Sequence, residues 1–487
     1  MGTTLWWIRR DLRLADNQAL AAALAQSAHV LPVYVLDPHI LESAHVGPTR
    51  VAFLFGGLRQ LDAQLRGCGS RLVVRCGIPA DELAKLVTEA GADAVFAEED
   101  FSPYARERDA QVRQRLQNST GRSVPLELRG RPTVQPPQAM LKDDGTPYVV
   151  FTPFSRRWKA LPRPDAGTLE RPPQHISTPS GVASLPLPDA PTGAAAAPFP
   201  PGEAEARRRL TEFAEGATPA IYRYAQERDR LALPATSLLS PYLRFGMLSA
   251  RQAAVTAFEA IAQAPDGEAR RSAAVWLDEL IWREFYVSVL YHFPEVRQHS
   301  FRPQYREMAW DNNEAAFDAW CEGRTGYPLV DAGMRQLRAT GWMHNRARMV
   351  VASFLTKILL IDWRWGEQYF MQQLVDGDPA ANNGGWQWSA GTGTDAAPYF
   401  RIFSPTAQGQ RHDPDGAYVR RWVPELQGVP AGFVHEPWKM DRDAQRATGC
   451  TVGVDYPERL ISYAAARERT LRAYRAARDS FAQAHPD

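Results

Sequence analysis

The hydrophobic pattern changes period once along the chain, and that change limits the folds open to it. Up to residue 130, strand-like runs recur at TLWWIR (4–9), VLPVYVLD (30–37), RLVVRC (71–76), AVFAEE (94–99) and VPLELR (124–129). Such short, β-branched or aromatic runs suit strands buried on both faces. The stretches between them, 16–27, 49–66, 79–90 and 103–117, predict helices. IPADEL puts Pro79 at a first helical position with acids close behind, where a missing N–H is harmless and negative charge is favoured. Repeated βα units predict a parallel sheet with helices on both faces, an α/β domain over residues 1–130. From residue 203 the alternation is gone. EAEARRRLTEFAEG, SARQAAVTAFEAIAQ, SAAVWLDELIWREFYVSVLYHF, RARMVVASFLTKILLI and the last stretch from PERLISY all read as helices.

Between the two halves, residues 131–201 hold sixteen of the 38 prolines. That density predicts a connector over the surface without regular elements. The expected class is α/β plus all-α: a Rossmann-like domain at 1–130, a Pro-rich connector at 131–202 and a helical domain at 203–487. A dinucleotide fingerprint is missing, since GCGS (67–70) closes a helix instead of opening one.

Composition narrows the function classes. Cys68, Cys76, Cys321 and Cys450 are scattered without a CxxC pair, which argues against a disulfide framework and against a zinc or other metal site. No run approaches a membrane span and the N-terminus reaches charge by Arg9, so a cytoplasmic protein is expected. A net charge of +1 neither implies nor excludes a nucleic-acid partner, which would need a local basic patch.

Nine of the 14 tryptophans lie between 276 and 388, and they keep polar company. DGDPAANNGGWQW (376–388) brackets Asp376, Asp378, Asn382 and Asn383 with Trp386 and Trp388. In WLDELIWREFY, helical spacing groups Trp276, Glu279, Trp282, Arg283 and Tyr286; in GWMHNRARM it groups Trp342, Asn345, Arg346 and Met349, with Arg348 at the edge. Taken singly, each has a plain reading: Trp as core, NNGG as a turn, Glu279 as the i+4 partner of Arg283, TSLLS (236–240) as a helix cap. Taken together they suit a buried planar ligand with polar edges, which wants rings to stack on and fixed donors around it.

ELIWREFY, TGYPLVDAGMRQLRATGWMHNRARM and DGDPAANNGGWQWSAGTGTDAAPYFRIFSP closely resemble the DNA photolyase–cryptochrome family, and within it the bacterial class I cyclobutane pyrimidine dimer photolyases. The resemblance runs from WIRRDLRLADN (7–17) to HEPWKM (435–440). It implies a folded FAD in the helical domain, active when fully reduced. It also implies light-driven electron transfer to a thymine dimer flipped out of UV-damaged DNA, by a monomer without a membrane. A blue-light photoreceptor of the same fold is the alternative, and a module with a purely structural Trp core the plainer one.

Residue by residue, the resemblance implies FAD contacts at Tyr224, Thr236, Ser237, Leu238, Leu239 and Ser240, then Trp276, Glu279, Arg283 and Trp342. Leu238 stands where relatives often carry a cation. Asn345, Arg348, Asp376, Asp378 and Asn382 would meet the flavin edge, with Arg348 and Asp376 paired and Asn382 at ring N5. Glu279, Asn345, Met349, Trp282 and Trp388 would hold the dimer. Trp386, Trp363 and Trp310 match an electron-transfer chain, and Arg228, Arg346 and Arg401, with Trp282 and Trp388, would meet DNA. A second, light-harvesting chromophore is possible. Tyr104 and Ala105 replace the Asn-Glu pair of folate-type relatives, and EDFSPYARERD looks more like the deazaflavin type, with Arg50 and Asp100 as contacts, though a flavin or no antenna at all would also be compatible.

Overall fold

In the computed structural model, which describes residues 2–118 and 123–485, the first half is a five-stranded parallel sheet. Strands β1 (Thr3–Ile8), β2 (His29–Leu36), β3 (Val73–Cys76), β4 (Ala94–Ala97) and β5 (Leu126–Leu128) lie in the order β3-β2-β1-β4-β5. β1 runs beside β2 with Thr3 opposite His29, and beside β4 with Thr4 opposite Ala94. Trp6 and Ile8 of β1 pack with α1 (Gln18–Gln26) and α2 (Pro48–Gly67) on one face. Leu5 and Trp7 pack with α3 (Pro79–Ala90) and α4 (Pro103–Asn118) on the other. Both faces are therefore covered, as the apolar runs predict. The chain leaves β1 toward β2 and later returns to its other side for β4. In open α/β sheets such a reversal opens a crevice beyond the carboxyl ends of the strands.

The Pro-rich stretch differs from expectation. It contains a ten-residue helix, α5 (Phe151–Ala160), whose Phe154 and Trp158 are buried in the core. Pro153 sits in the first turn, where its absent N–H has no helical acceptor to lose. Trp158 Nε1 donates to Glu284 Oε2 at 2.6 Å, and farther on Ile176 N–H donates to Cys68 O at 2.9 Å. The stretch is thus strapped to both halves instead of lying loose on the surface.

The helices that matter for the site are α6 (Ser240–Phe245), α7 (Gly267–His292), α8 (Asn345–Ser353), α9 (Trp363–Gln373) and α10 (Pro379–Ala390). α8 is shorter than RARMVVASFLTKILLI predicts. It widens into a π-helical turn over Phe354–Ile358, and Leu360, at φ +57°, stops it. The halves join where Leu12 N–H donates to Phe245 O (3.2 Å) and Arg13 Nη1 to Gly246 O (3.0 Å). No helix among the described residues is long and apolar enough to cross a membrane.

Candidate active site

α7, α8 and α10 enclose a cavity of about 500 Å3. α7 presents Trp276, Glu279, Leu280, Trp282, Arg283 and Tyr286 to it, a set spaced by helical turns. α8 presents Asn345, Arg348 and Met349, and α10 presents Asn382, Gly385, Trp386 and Trp388. Tyr224 closes one side. Among the lining residues that sequence reasoning left out are Arg244, Leu280 and Gly385. Only the Gly-Gly pair carried a visible signal, because a missing side chain beside Trp marks room for something else.

NNGG is not a turn. Pro379 opens α10, and Asp378 caps it by accepting the N–H of Ala380 (3.0 Å) and Ala381 (3.2 Å). Asn382 is therefore a buried helical residue, and its Nδ2 donates to Glu367 O at 3.0 Å. That leaves the amide oxygen as the acceptor.

The polar edge is built from paired charges. Arg348 Nη2 lies 2.8 Å from Asp376 Oδ2, while its Nε donates to Met343 O at 2.8 Å. Asp378 pairs with Arg10 of the α/β half at 2.7 Å. Burial alone would raise the Asp378 carboxyl, but Arg10, Arg244 and Arg283 pull it well below the usual carboxylate range. Glu279 pairs with Arg228, not with Arg283. Arg283 instead donates to Pro132 O at 2.6 Å. Burial raises the Glu279 carboxyl although Arg228 opposes it.

On the apolar side, Trp282 lies flat on Phe151 of α5, centroids 3.8 Å apart and planes within 4°. Asn345 Nδ2 is 3.8 Å from Met349 Sδ. Ser237, Leu239 and Ser240 border the cavity, whereas Thr236 and Leu238 do not. Leu238, at φ +52°, packs against the main core. Trp342 is also outside the lining: the helix starts only at Asn345, capped by His344, so Trp342 sits before it and donates Nε1 to Ser240 Oγ at 3.4 Å.

The three tryptophans read as an electron chain share one region. Trp386 is buried, with Phe370 at 5.0 Å and Trp320 at 6.0 Å as ring neighbours. It lies against Gly366 of α9, where a Cβ would come 2.1 Å from Trp386 Cη2. Trp363, also buried, begins that helix, and half-buried Trp310 packs on the same core. Of the three arginines assigned to DNA, two are engaged within the protein: Arg228 with Glu279, and Arg346 with Asp229 at 2.5 Å. Arg401 is exposed.

A second cavity, of about 290 Å3, sits at the carboxyl ends of β1, β2 and β4, beside the reversal in strand order. Arg10, Tyr34, Asp37, Asp100, Tyr104 and Arg108 line it. Arg50 borders it too, with three of its five N–H groups donated to backbone carbonyls from Nε, Nη1 and Nη2.

The chemistry of the first cavity's lining fits FAD. A Cβ on Gly385 would meet nothing within 4 Å, so the missing side chain leaves a cradle between Asn382 and Trp388. Around it stand an amide oxygen, an Arg–Asp pair, serine hydroxyls and indoles, the mix a flat heterocycle with polar edges requires.

Comparisons with known proteins agree. Residues 4–174 match the family model for DNA photolyase, and residues 276–476 match that for the FAD binding domain of DNA photolyase. The deoxyribodipyrimidine photo-lyase of Synechococcus sp. is 45% identical over 87% of this chain and 88% of its own. The crystal structure of a class III photolyase from Agrobacterium tumefaciens superposes with a TM-score of 0.91 at 36% identity, covering 98% of each chain. An archaeal photolyase from Sulfolobus tokodaii, solved with two FAD molecules, gives 0.81 at 31% identity over 97% of this chain and all of that one. Architecture, cavity chemistry and sequence agree: this chain belongs to the DNA photolyase family.

Proposed function

We propose that this protein is a deoxyribodipyrimidine photo-lyase that opens cyclobutane pyrimidine dimers in UV-damaged DNA with light. One observation carries the reading: the residues suited to a flavin edge and those suited to a dimer line a single cavity. Bound and fully reduced, FAD supplies on illumination the electron that opens the dimer, and takes it back without net redox change.

The protein's part is to bind, orient and keep dry. Asn382, its nitrogen fixed by Glu367 O, offers its oxygen to a ring N–H at N5, which favours the reduced form. Arg348 brings a positive charge held in place by Asp376, and the neutralised Asp378 does not repel an anionic ring. Ser237 and Ser240 line the wall at the start of α6 and offer hydroxyls to the pyrophosphate. On the lesion side, the ring of Trp282 is fixed by Phe151, so a flipped-out dimer stacks on a preset plane; extrusion of the base is general for enzymes of this kind, photolyases among them. Glu279 and Asn345 hydrogen-bond the pyrimidine edges. Arg228 orients Glu279, leaving Arg401 as the exposed cation of the proposed set for DNA phosphates.

In this reading residues 203–487 form the catalytic part, residues 1–130 hold a light-harvesting chromophore in the second cavity, and 131–202 join them. Its Arg and Asp lining suits a planar polar chromophore of the deazaflavin or flavin type. The working unit is a monomer acting in the cytoplasm. The test is thymine-dimer loss from irradiated DNA under blue light and in the dark, with wild type and Glu279→Ala. Light-dependent loss that the variant impairs supports the reading; no loss in light hands the fold to a photoreceptor role.

A further inference from the structure

The segment from Met371 to Asp378, which carries both acids of the flavin-side wall, is gripped by three arginines. Arg50, on α2, donates Nε to Leu374 O at 3.0 Å and Nη2 to Met371 O, taking carbonyls that the end of α9 leaves without helical partners. Its Nη1 donates to His45 O at 3.2 Å, and its surface is only 4% exposed. Arg244, on α6, donates Nε to Gly377 O at 2.9 Å. Arg10, just past β1, places Nη2 2.7 Å from Asp378 Oδ2 and donates Nε to Arg244 O at 3.2 Å. A Cβ on Gly377 would fall 2.2 Å from Arg50 Nη2, so the backbone lies directly on the guanidinium. All three arginines also line the second cavity. One layer of guanidinium groups is therefore the partition between the two cavities.

We propose that Arg50 and Arg10 are positioning residues of the flavin cavity, supplied by the α/β half, and that a planar ligand in the second cavity strengthens flavin binding through them. The proposal rests on the reading of the first cavity as the FAD site. Beside an open second cavity, the guanidinium groups have room to yield, and the Asp376–Asp378 turn can yield with them. A ligand seated there removes that room, so it favours the arrangement that holds flavin, and the coupling is reciprocal.

The test follows FAD release from the loaded protein after dilution, with and without saturating 5-deazariboflavin. The expected result is release slowed about fivefold by the deazaflavin in wild type, a typical size for coupling between sites. Arg50→Lys keeps the charge but cannot fork across two carbonyls. It should release FAD about tenfold faster and no longer respond to the deazaflavin, a loss that simple destabilisation would not produce. Arg10→Lys serves as the second variant should Arg50→Lys unfold early in a thermal melt. Wild-type release unmoved by the deazaflavin, or a folded variant that releases and responds as wild type does, overturns the proposal. A wild-type protein that holds no FAD instead overturns the reading beneath it, and this is evident before either variant is made.

Discussion

Arg348 reaches Asp376 with both carboxylate oxygens in range, at 2.8 and 3.1 Å, across the turn that links α9 to α10. The acid is almost wholly buried while the arginine still borders the cavity, so the pair fixes a cation beside the ligand at little desolvation cost to the cation itself.

Breaking the pair from the buried side should cost a charge-assisted hydrogen bond. Asp376→Asn is expected to cost about 1.5 kcal/mol of stability, since Arg348 loses its partner but stays partly solvated. The variant should purify with less FAD than wild type. A melt in denaturant and the flavin-to-protein absorbance ratio measure the two effects.

Glu279 gives a pH signature. Burial raises its carboxyl above the ordinary range despite Arg228, so the protonated, donating form persists to higher pH than for a free glutamate. Dimer repair is expected to decline as pH rises through that raised value. Glu279→Gln, a permanent donor, should lose this dependence and keep its repair yield within about tenfold of wild type. Repair yield against pH for both proteins checks it.

His344 ties stability to pH. It caps α8, its Nδ1 accepting the Arg346 N–H at 3.1 Å. Burial lowers its pKa from 6.5 to about 4, against the pull of Asp229 and with Arg346, Arg348 and His412 adding to the drop. As pH falls from 6.5 toward 4, the unfolded chain takes a proton that the folded chain refuses, so stability is lost over that window. His344→Asn keeps a capping side chain without the titration and should remove about 2 kcal/mol of that loss. Thermal melts at the two ends of the window, for both proteins, measure it.

The tryptophans separate activation from repair. Trp386→Phe is expected to abolish light-driven reduction of oxidised FAD, because Trp386 is the member of the proposed chain that lines the cavity. Repair by chemically reduced protein should persist. Flavin absorbance under illumination with a reductant, followed by a repair assay, distinguishes the two steps.

Much of this was legible in the sequence, and what was not has physical reasons. The sheet and its helices follow from runs such as VLPVYVLD, whose apolar residues suit a doubly covered strand. The cavity face of α7 follows from the spacing of Trp276, Glu279, Arg283 and Tyr286. The face of α8 was harder, because its start is set by a histidine cap, an unusual choice; reading the helix from Gly341 wrongly grouped Trp342 and Arg346 with the cavity. α5 was hidden by Pro153, which only a first-turn position makes harmless. The partition of Arg10, Arg50 and Arg244 had no local signal, since tertiary packing alone brings positions so far apart in the chain onto one turn.

The most direct test of a shared flavin and lesion cavity is the excited-state lifetime of the reduced flavin in the loaded protein. It is measured alone, with an undamaged oligonucleotide and with one carrying a single thymine dimer. The lifetime should shorten with the dimer alone, because only an extruded lesion sits close enough to accept the electron. A lifetime unchanged by bound dimer-containing DNA would show that flavin and lesion do not share the space that α7, α8 and α10 enclose.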